Sequence, residues 1–166
     1  MVKHMSSPKI TCKLYNSIAQ LYCECLAIEK ANEYSQMAET LSTDESDAKL
    51  HFLHLKMKIY RIRVLRKLGE FNDALKRTNE LLDFVSKKKD AETDEKLNRK
   101  YLKLLIRLER EKMACFCSKK MFVEAEEVHV KTQANYKVLY PYEDTANIKM
   151  LTNSYRKNLW FKAYDP

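Results

Sequence analysis

The sequence is poor in the residues that break helices, with one glycine and three prolines among 166 residues. Hairpin turns, phosphate-binding loops and alternating strands and helices all need glycine, because they require positive φ or a close approach of the backbone. All-β and Rossmann-type folds are therefore excluded. The chain is rich instead in Leu, Lys, Glu, Ala, Met and Arg, which lose little conformational freedom in a helix. The sequence predicts an all-α protein.

The sequence also lacks long apolar runs and a signal peptide. No stretch approaches the ~20 uninterrupted apolar residues that a membrane span needs, so we expect no membrane partner. The number of cysteines is odd, which favours reduced thiols inside the cell, in the cytoplasm or nucleus. The five cysteines are Cys12, Cys23, Cys25, Cys115 and Cys117.

Sparse breaks in the hydrophobic pattern predict seven helices. The first is supported by Leu14, Ile18, Leu21, Cys25 and Ile28, which repeat at three- and four-residue spacing. The expected helices run over about 10–30, 32–41, 45–68, 71–88, 92–118, 121–138 and 142–163. We expect one domain over residues 9–164, preceded by a disordered terminus or vector remnant over residues 1–8.

A short pattern recurs where one predicted helix gives way to the next. Gly69, Phe71, Ala74 and Leu75 follow the third helix, and Phe122 and Ala125 repeat the aromatic and the alanine after the fifth. A weaker copy runs from Tyr34 to Ala38. We expect each aromatic to wedge into the partner helix, while the alanine lets the two backbones approach closely.

This pattern resembles the tetratricopeptide-repeat (TPR) superfamily, with irregular and elongated repeats. The resemblance implies a right-handed stack of about three helical hairpins in which the 142–163 helix caps the last hairpin. Another helical array or bundle is the alternative. Trp160, Phe161 and Tyr164 would complete the cap or form an apolar contact with another unit or chain.

Signatures of catalysis and of cofactor binding are absent from the sequence. There is no glycine-rich phosphate loop, nucleophile elbow or His-Glu-x-x-His motif, so we expect no enzyme, no cofactor and no small-molecule substrate. His51 and His54 share a helix face, but no third ligand follows at a suitable spacing. The two residues of each Cys-x-Cys pair point about 200° apart on a helix, so we expect no metal site.

The most distinctive feature of the sequence is its charge, a formal +8. On the predicted fifth helix, six cations fall within about 100° of arc, opposite a leucine-rich face. These residues, here called the basic stripe, are Lys96, Arg99, Lys100, Lys103, Arg107 and Arg110. Lys56, Arg63 and Lys67 lie on one face of the third helix and could continue the stripe.

A basic stripe admits three interpretations. It is a solvated surface paired with neighbouring acids, a site for an acidic or phosphorylated protein segment, or a contact with the nucleic-acid backbone. No aromatic residues interleave the cations to stack bases, which disfavours recognition of single strands. We therefore expect a non-catalytic scaffold or adaptor that binds an acidic peptide or a neighbouring subunit of a larger complex. A basic helical-repeat module that contacts nucleic acid is the alternative.

Overall fold

The fold is seen in a computed structural model that describes residues 7–41 and 48–141. Every regular element in these two ranges is an α-helix, which confirms the predicted all-α class. Of the seven predicted helices, the one expected over 142–163 lies outside the described residues, as do Trp160, Phe161 and Tyr164. The six described helices are α1 (Pro8–Glu24), α2 (Ile28–Leu41), α3 (Ala48–Lys67), α4 (Phe71–Ala91), α5 (Glu95–Ser118) and α6 (Phe122–Leu139).

The chain divides into two compact units between Glu70 and Phe71. In the first unit α2 packs against both α1 and α3, and in the second α5 packs against both α4 and α6. Each unit is thus built around one central helix. The single domain expected over residues 9–164 stays a prediction. None of the described helices is both long enough and apolar enough to cross a lipid bilayer.

The same turn ends three of the helices. Leu26, Gly69 and Lys120 follow α1, α3 and α5 with φ of 60°, 85° and 61°, the left-handed conformation of a helix C-cap. The next residue in each case donates its N–H to a carbonyl five positions back, from Ala27 to Tyr22, Glu70 to Leu65 and Met121 to Phe116, at 2.9–3.0 Å. The following helix then begins two residues after the left-handed position.

This shared turn places a buried alanine at one position in each following helix. Ala31, Ala74 and Ala125, each the fourth residue of its helix, are fully buried. The first repeat therefore runs from Ile28 to Ala31, and the copy assigned to Tyr34–Ala38 was out of register. Tyr34 lies in the second turn of α2, where its ring stacks on Tyr22 and contacts Tyr15 of α1.

The two aromatic residues at the helix starts are less buried than the alanines. Phe71 is half-buried and Phe122 is 36% exposed. Around Ala125 the second unit instead packs Met113 and Cys117. Close contact at the junction of α5 and α6 therefore includes a small side chain and two sulfur atoms.

The apolar repeat noted in α1 faces outward. Leu14 and Leu21 are 55% and 61% exposed, whereas the buried positions of this helix are Cys12, Ala19 and Cys23. Cys12 also donates its thiol hydrogen to the Ala38 carbonyl at 3.2 Å, which joins α1 to α2. The fully buried positions of α1 are therefore occupied by small residues, and Leu14 and Leu21 remain in solvent.

Candidate functional site: a basic stripe on the central helix of the second unit

Helix α5 is well suited to present a defined surface, because two neighbours enclose most of its circumference. It begins at the N-cap Asp94, whose carboxylate accepts the Leu97 N–H at 2.9 Å. Asn98 then donates to the carbonyls of Lys89 and Glu92, which ties the start of α5 to the end of α4. Eleven residues of α5 are buried. The backbone of α5 is therefore held in place, and with it the direction in which each Cα–Cβ bond points.

All six residues of the basic stripe are exposed on the face that α4 and α6 leave open. From Lys96 to Arg110 the stripe spans fourteen residue steps, about 21 Å at 1.5 Å per residue. Leu104, Leu105 and Leu108, on the other side of the helix, are buried as the helical periodicity requires. The structure thus displays the six cations together along one ridge.

The six cations differ in their intramolecular partners. Arg99 donates from Nη2 to the Leu139 carbonyl at 3.0 Å and so caps the last turn of α6. Four other residues of the stripe have no ion pair or hydrogen bond within the described part of the chain: Lys96, Lys103, Arg107 and Arg110. Lys100 does make an interaction. The stripe is therefore a set of four unneutralised cations, with one structural arginine near its N-terminal end.

The α3 cations that were expected to continue the stripe belong to the first unit. Lys56, Arg63 and Lys67 are exposed there, and Lys67 donates to the Cys23 carbonyl at 3.5 Å. Their neighbour Arg61 is buried and bonds from Nη1 to the Asn32 carbonyl and the Ser35 hydroxyl, at 3.1 and 3.2 Å. A basic residue in α3 thus also serves to join two helices.

The burial of Glu109, an acidic residue of α5, was not predicted from the sequence. Glu109 lies at the α5–α6 interface, where it is 2% exposed and accepts both hydrogen bonds of the Asn135 amide. Lys131 approaches one carboxylate oxygen at 3.7 Å. Burial raises the pKa of Glu109, while Asn135 and Lys131 partly offset the rise. The sequence did contain a signal for this burial, because Glu109 lies four residues from both Leu105 and Met113 and therefore shares their apolar helix face.

Three histidines lie in the described residues, two in α3 and one in α6. His54 is buried and His51 half-buried in α3, and His129 is buried in α6 beside Gln133, at 3.0 Å between side-chain nitrogens. Burial lowers the pKa of His129, against an opposing effect of Glu126. Among residues 7–41 and 48–141 no three His, Cys, Asp or Glu side chains are grouped so as to hold a metal ion.

No family model, no curated protein and no solved structure matches this chain. The arguments for its function therefore rest on the residues described above.

Proposed function

We propose that this protein is a non-catalytic interaction module, and that the basic stripe of α5 binds an acidic segment of a partner protein. The observation that supports this proposal is the row of four exposed cations without intramolecular partners on a helix whose other sides are buried. A rigid helix loses little backbone entropy when it engages a ligand, because its backbone is already ordered.

The chemistry of the stripe favours carboxylates or phosphates. Arg107 and Arg110 can each present two parallel N–H donors to one carboxylate, and Lys96 and Lys103 add point charges. The basic stripe is about 21 Å long, which is the length of an extended segment of about six residues at ~3.3 Å per residue. A short acidic stretch of a partner chain is therefore the ligand that we propose.

The proposed architecture agrees with this role. We propose that the units belong to a stack of TPR-like helical hairpins, supported by the recurring left-handed turn and the buried alanine after each turn. Scaffolds of this kind commonly hold partner segments along first helices. Helix α5 occupies that position in its hairpin with α6.

A binding titration with a matched control tests the proposal. The probe is a fluorescent peptide rich in glutamate, compared with the same peptide carrying glutamine. The stripe variant combines Lys103→Glu, Arg107→Glu and Arg110→Glu, leaving Arg99 in place because it caps α6. The control variant makes the same charge change at Lys76, Lys87 and Lys137, which are exposed on α4 and α6.

We expect the stripe variant to bind the acidic peptide at least tenfold more weakly than the control variant does. Equal weakening in both variants would mean that only net charge matters, and the proposal would fail. A parallel titration with duplex and single-stranded nucleic acid distinguishes the alternative. If the protein binds nucleic acid more tightly than the acidic peptide, and only the stripe variant loses that binding, the stripe is a site for phosphate backbones instead.

A further inference from the structure

A second surface stands out at the outer face of α1. Ile10, Leu14 and Leu21 are each more than half exposed, and half-buried Ile18 and exposed Cys25 continue the same face. At 100° per residue these five residues fall within about 80° of arc. Solvent-exposed aliphatic residues in a continuous row are uncommon on a monomer and indicate an interface. We call this row the α1 apolar face.

Four residues of the α1 apolar face are placed symmetrically about the middle of the helix. Ile10 and Cys25 are equally far from the midpoint between Ser17 and Ile18, and so are Leu14 and Leu21. When two copies of such a helix lie antiparallel, a two-fold axis through this midpoint sets Leu14 opposite Leu21 of the other copy. The face is therefore complementary to itself in the antiparallel direction.

The charges beside the face favour the same arrangement. Lys13 and Glu24 lie on one flank of the face, near opposite ends of α1, and both are exposed. Within the described residues neither one has an ion-pair partner. In the antiparallel pair, this flank of one copy lies beside the same flank of the other copy. Lys13 is then only two residues, about 3 Å along the helix, from Glu24 of the other copy. A parallel pair would separate these charges by about 16 Å.

We propose that the α1 apolar face binds the same face of a second copy of this chain, in an antiparallel pair centred between Ser17 and Ile18. Leu14 of each copy packs on Leu21 of the other, and two Lys13–Glu24 ion pairs flank the contact. Because one helix from each copy forms it, the interface is at the small end of the range, below about 1,200 Å² in total. The dimer is therefore expected to be weak and dependent on concentration.

This proposal is independent of the acidic ligand of α5. The α1 apolar face belongs to the first unit, and the basic stripe belongs to the second. A variant that separates the two copies therefore has no reason to change the intrinsic affinity of one chain for the acidic peptide. Failure of either proposal leaves the other one standing.

Sedimentation of the full chain from about 1 µM to about 1 mM tests the pairing. We expect a monomer–dimer equilibrium that Leu14→Glu weakens at least tenfold, since it places a charge within the apolar contact, opposite Leu21 of the other copy. Val130→Glu, a change at an equally exposed valine of α6, is the matched control and should leave the equilibrium unchanged. A chain that stays monomeric throughout this range overturns the proposal, whether the face is bare or covered by another segment of the same chain.

A charge exchange then tests the direction of the pair. Lys13→Glu sets two like charges together at each end, and we expect it to weaken the dimer about fivefold. The double variant Lys13→Glu, Glu24→Lys should recover the wild-type constant. If the double variant is no tighter than the single one, the antiparallel arrangement is wrong.

Disulfide trapping tests the register. A cysteine at position 10, made by Ile10→Cys, should cross-link under mild oxidation to Cys25 of the other copy. The same change in a Cys25→Ser background should not cross-link, because the two copies of residue 10 are fifteen residue steps apart along the pair, about 22 Å. Cross-linking that persists in the Cys25→Ser background would contradict the register.

Discussion

The side-chain amide of Asn135 donates to both carboxylate oxygens of Glu109, at 2.9 and 3.0 Å, across the interface of α5 and α6. A buried carboxylate that loses its donors retains its desolvation cost without compensation. The pair therefore fixes how α6 lies on α5, which is the helix that carries the basic stripe.

Removal of the amide should destabilise the protein. We expect Asn135→Ala to lower the free energy of unfolding by about 1–3 kcal/mol, because Glu109 is then left buried with fewer donors. Lys137→Ala, at an exposed position of the same helix, should stay within about 0.5 kcal/mol of the wild type. Urea denaturation measures both values, and equal effects at the two positions would argue against the role of the amide.

The ionisation of Glu109 should make stability depend on pH. Because burial raises its pKa in the folded state, the folded chain binds the proton more tightly than the unfolded chain does. Its contribution to stability is therefore largest below the ordinary carboxyl value of 4.5, and it is lost as the pH rises through the raised pKa. We expect Glu109→Gln to gain stability relative to the wild type over this window.

Thermal or urea denaturation at pH values from 4 to about 8 measures that difference. Glu127→Gln on the exposed side of α6 serves as the control for the loss of one negative charge. If the curves of wild type and Glu109→Gln stay parallel across the whole range, the inferred change in protonation is wrong.

The left-handed turns allow a comparison of three positions. Leu26 and Lys120 adopt positive φ without being glycine, which costs roughly 1–2 kcal/mol per residue. We expect Leu26→Gly and Lys120→Gly each to leave stability unchanged or raise it by up to about 1 kcal/mol, because relief of this strain outweighs the added chain entropy.

Gly69 should respond in the opposite direction. An added Cβ there meets nothing within 4 Å, so only the φ of 85° opposes a larger residue. Gly69→Ala is therefore expected to lower stability by about 1 kcal/mol, measured by calorimetry as a shift in Tm. A stabilising effect of Gly69→Ala would show that the turn does not keep this conformation.

The buried alanine after each turn should not accept a larger side chain. Ala125 is fully buried against Met113 and Cys117, so we expect Ala125→Leu to destabilise the protein by about 1–3 kcal/mol through overpacking. Ala134→Leu, at an exposed position of the same helix, is the matched control. Comparable effects at both positions would mean that α5 and α6 are not in close contact at Ala125.

The affinity of the basic stripe for an acidic peptide should fall with salt. Exposed charges are screened over a Debye length of about 10 Å at 0.1 M salt and about 3 Å at 1 M. We expect fluorescence titrations to show a weaker dependence on salt for the variant with Lys103, Arg107 and Arg110 reversed. An affinity independent of salt in the wild type would indicate that apolar contacts, and not the stripe, bind the peptide.

The helices were predictable from the sequence because their ends carry local signals. The fourth and sixth helices begin within one residue of their predicted starts, and Gly69 marks the turn after α3. The end of α1 was placed several residues too late, because Leu26 occupies a position at which glycine is the usual signal. The turn is closed by backbone hydrogen bonds, from Leu26 to the Cys23 carbonyl and from Ala27 to the Tyr22 carbonyl, which the side-chain pattern of the sequence does not reveal.

The basic stripe was predictable because helical periodicity alone decides which residues share a face. The partners of those residues were not, since the bond from Arg99 to the end of α6 depends on how two helices pack. The buried side of α1 was also missed. There the close contact uses Cys12, Ala19 and Cys23, so the most hydrophobic residues did not mark the core.

The unequal exposure of the thiols allows the unfolding of each unit to be followed separately. Cys25 is exposed, and the other four cysteines are buried, two in each unit. An alkylating reagent should therefore modify Cys25 at once, and reach Cys12 and Cys23 only when the first unit opens. Cys115 and Cys117 report in the same way on the second unit. Mass spectrometry of the alkylated peptides over time would thus show whether the two units open together or in sequence.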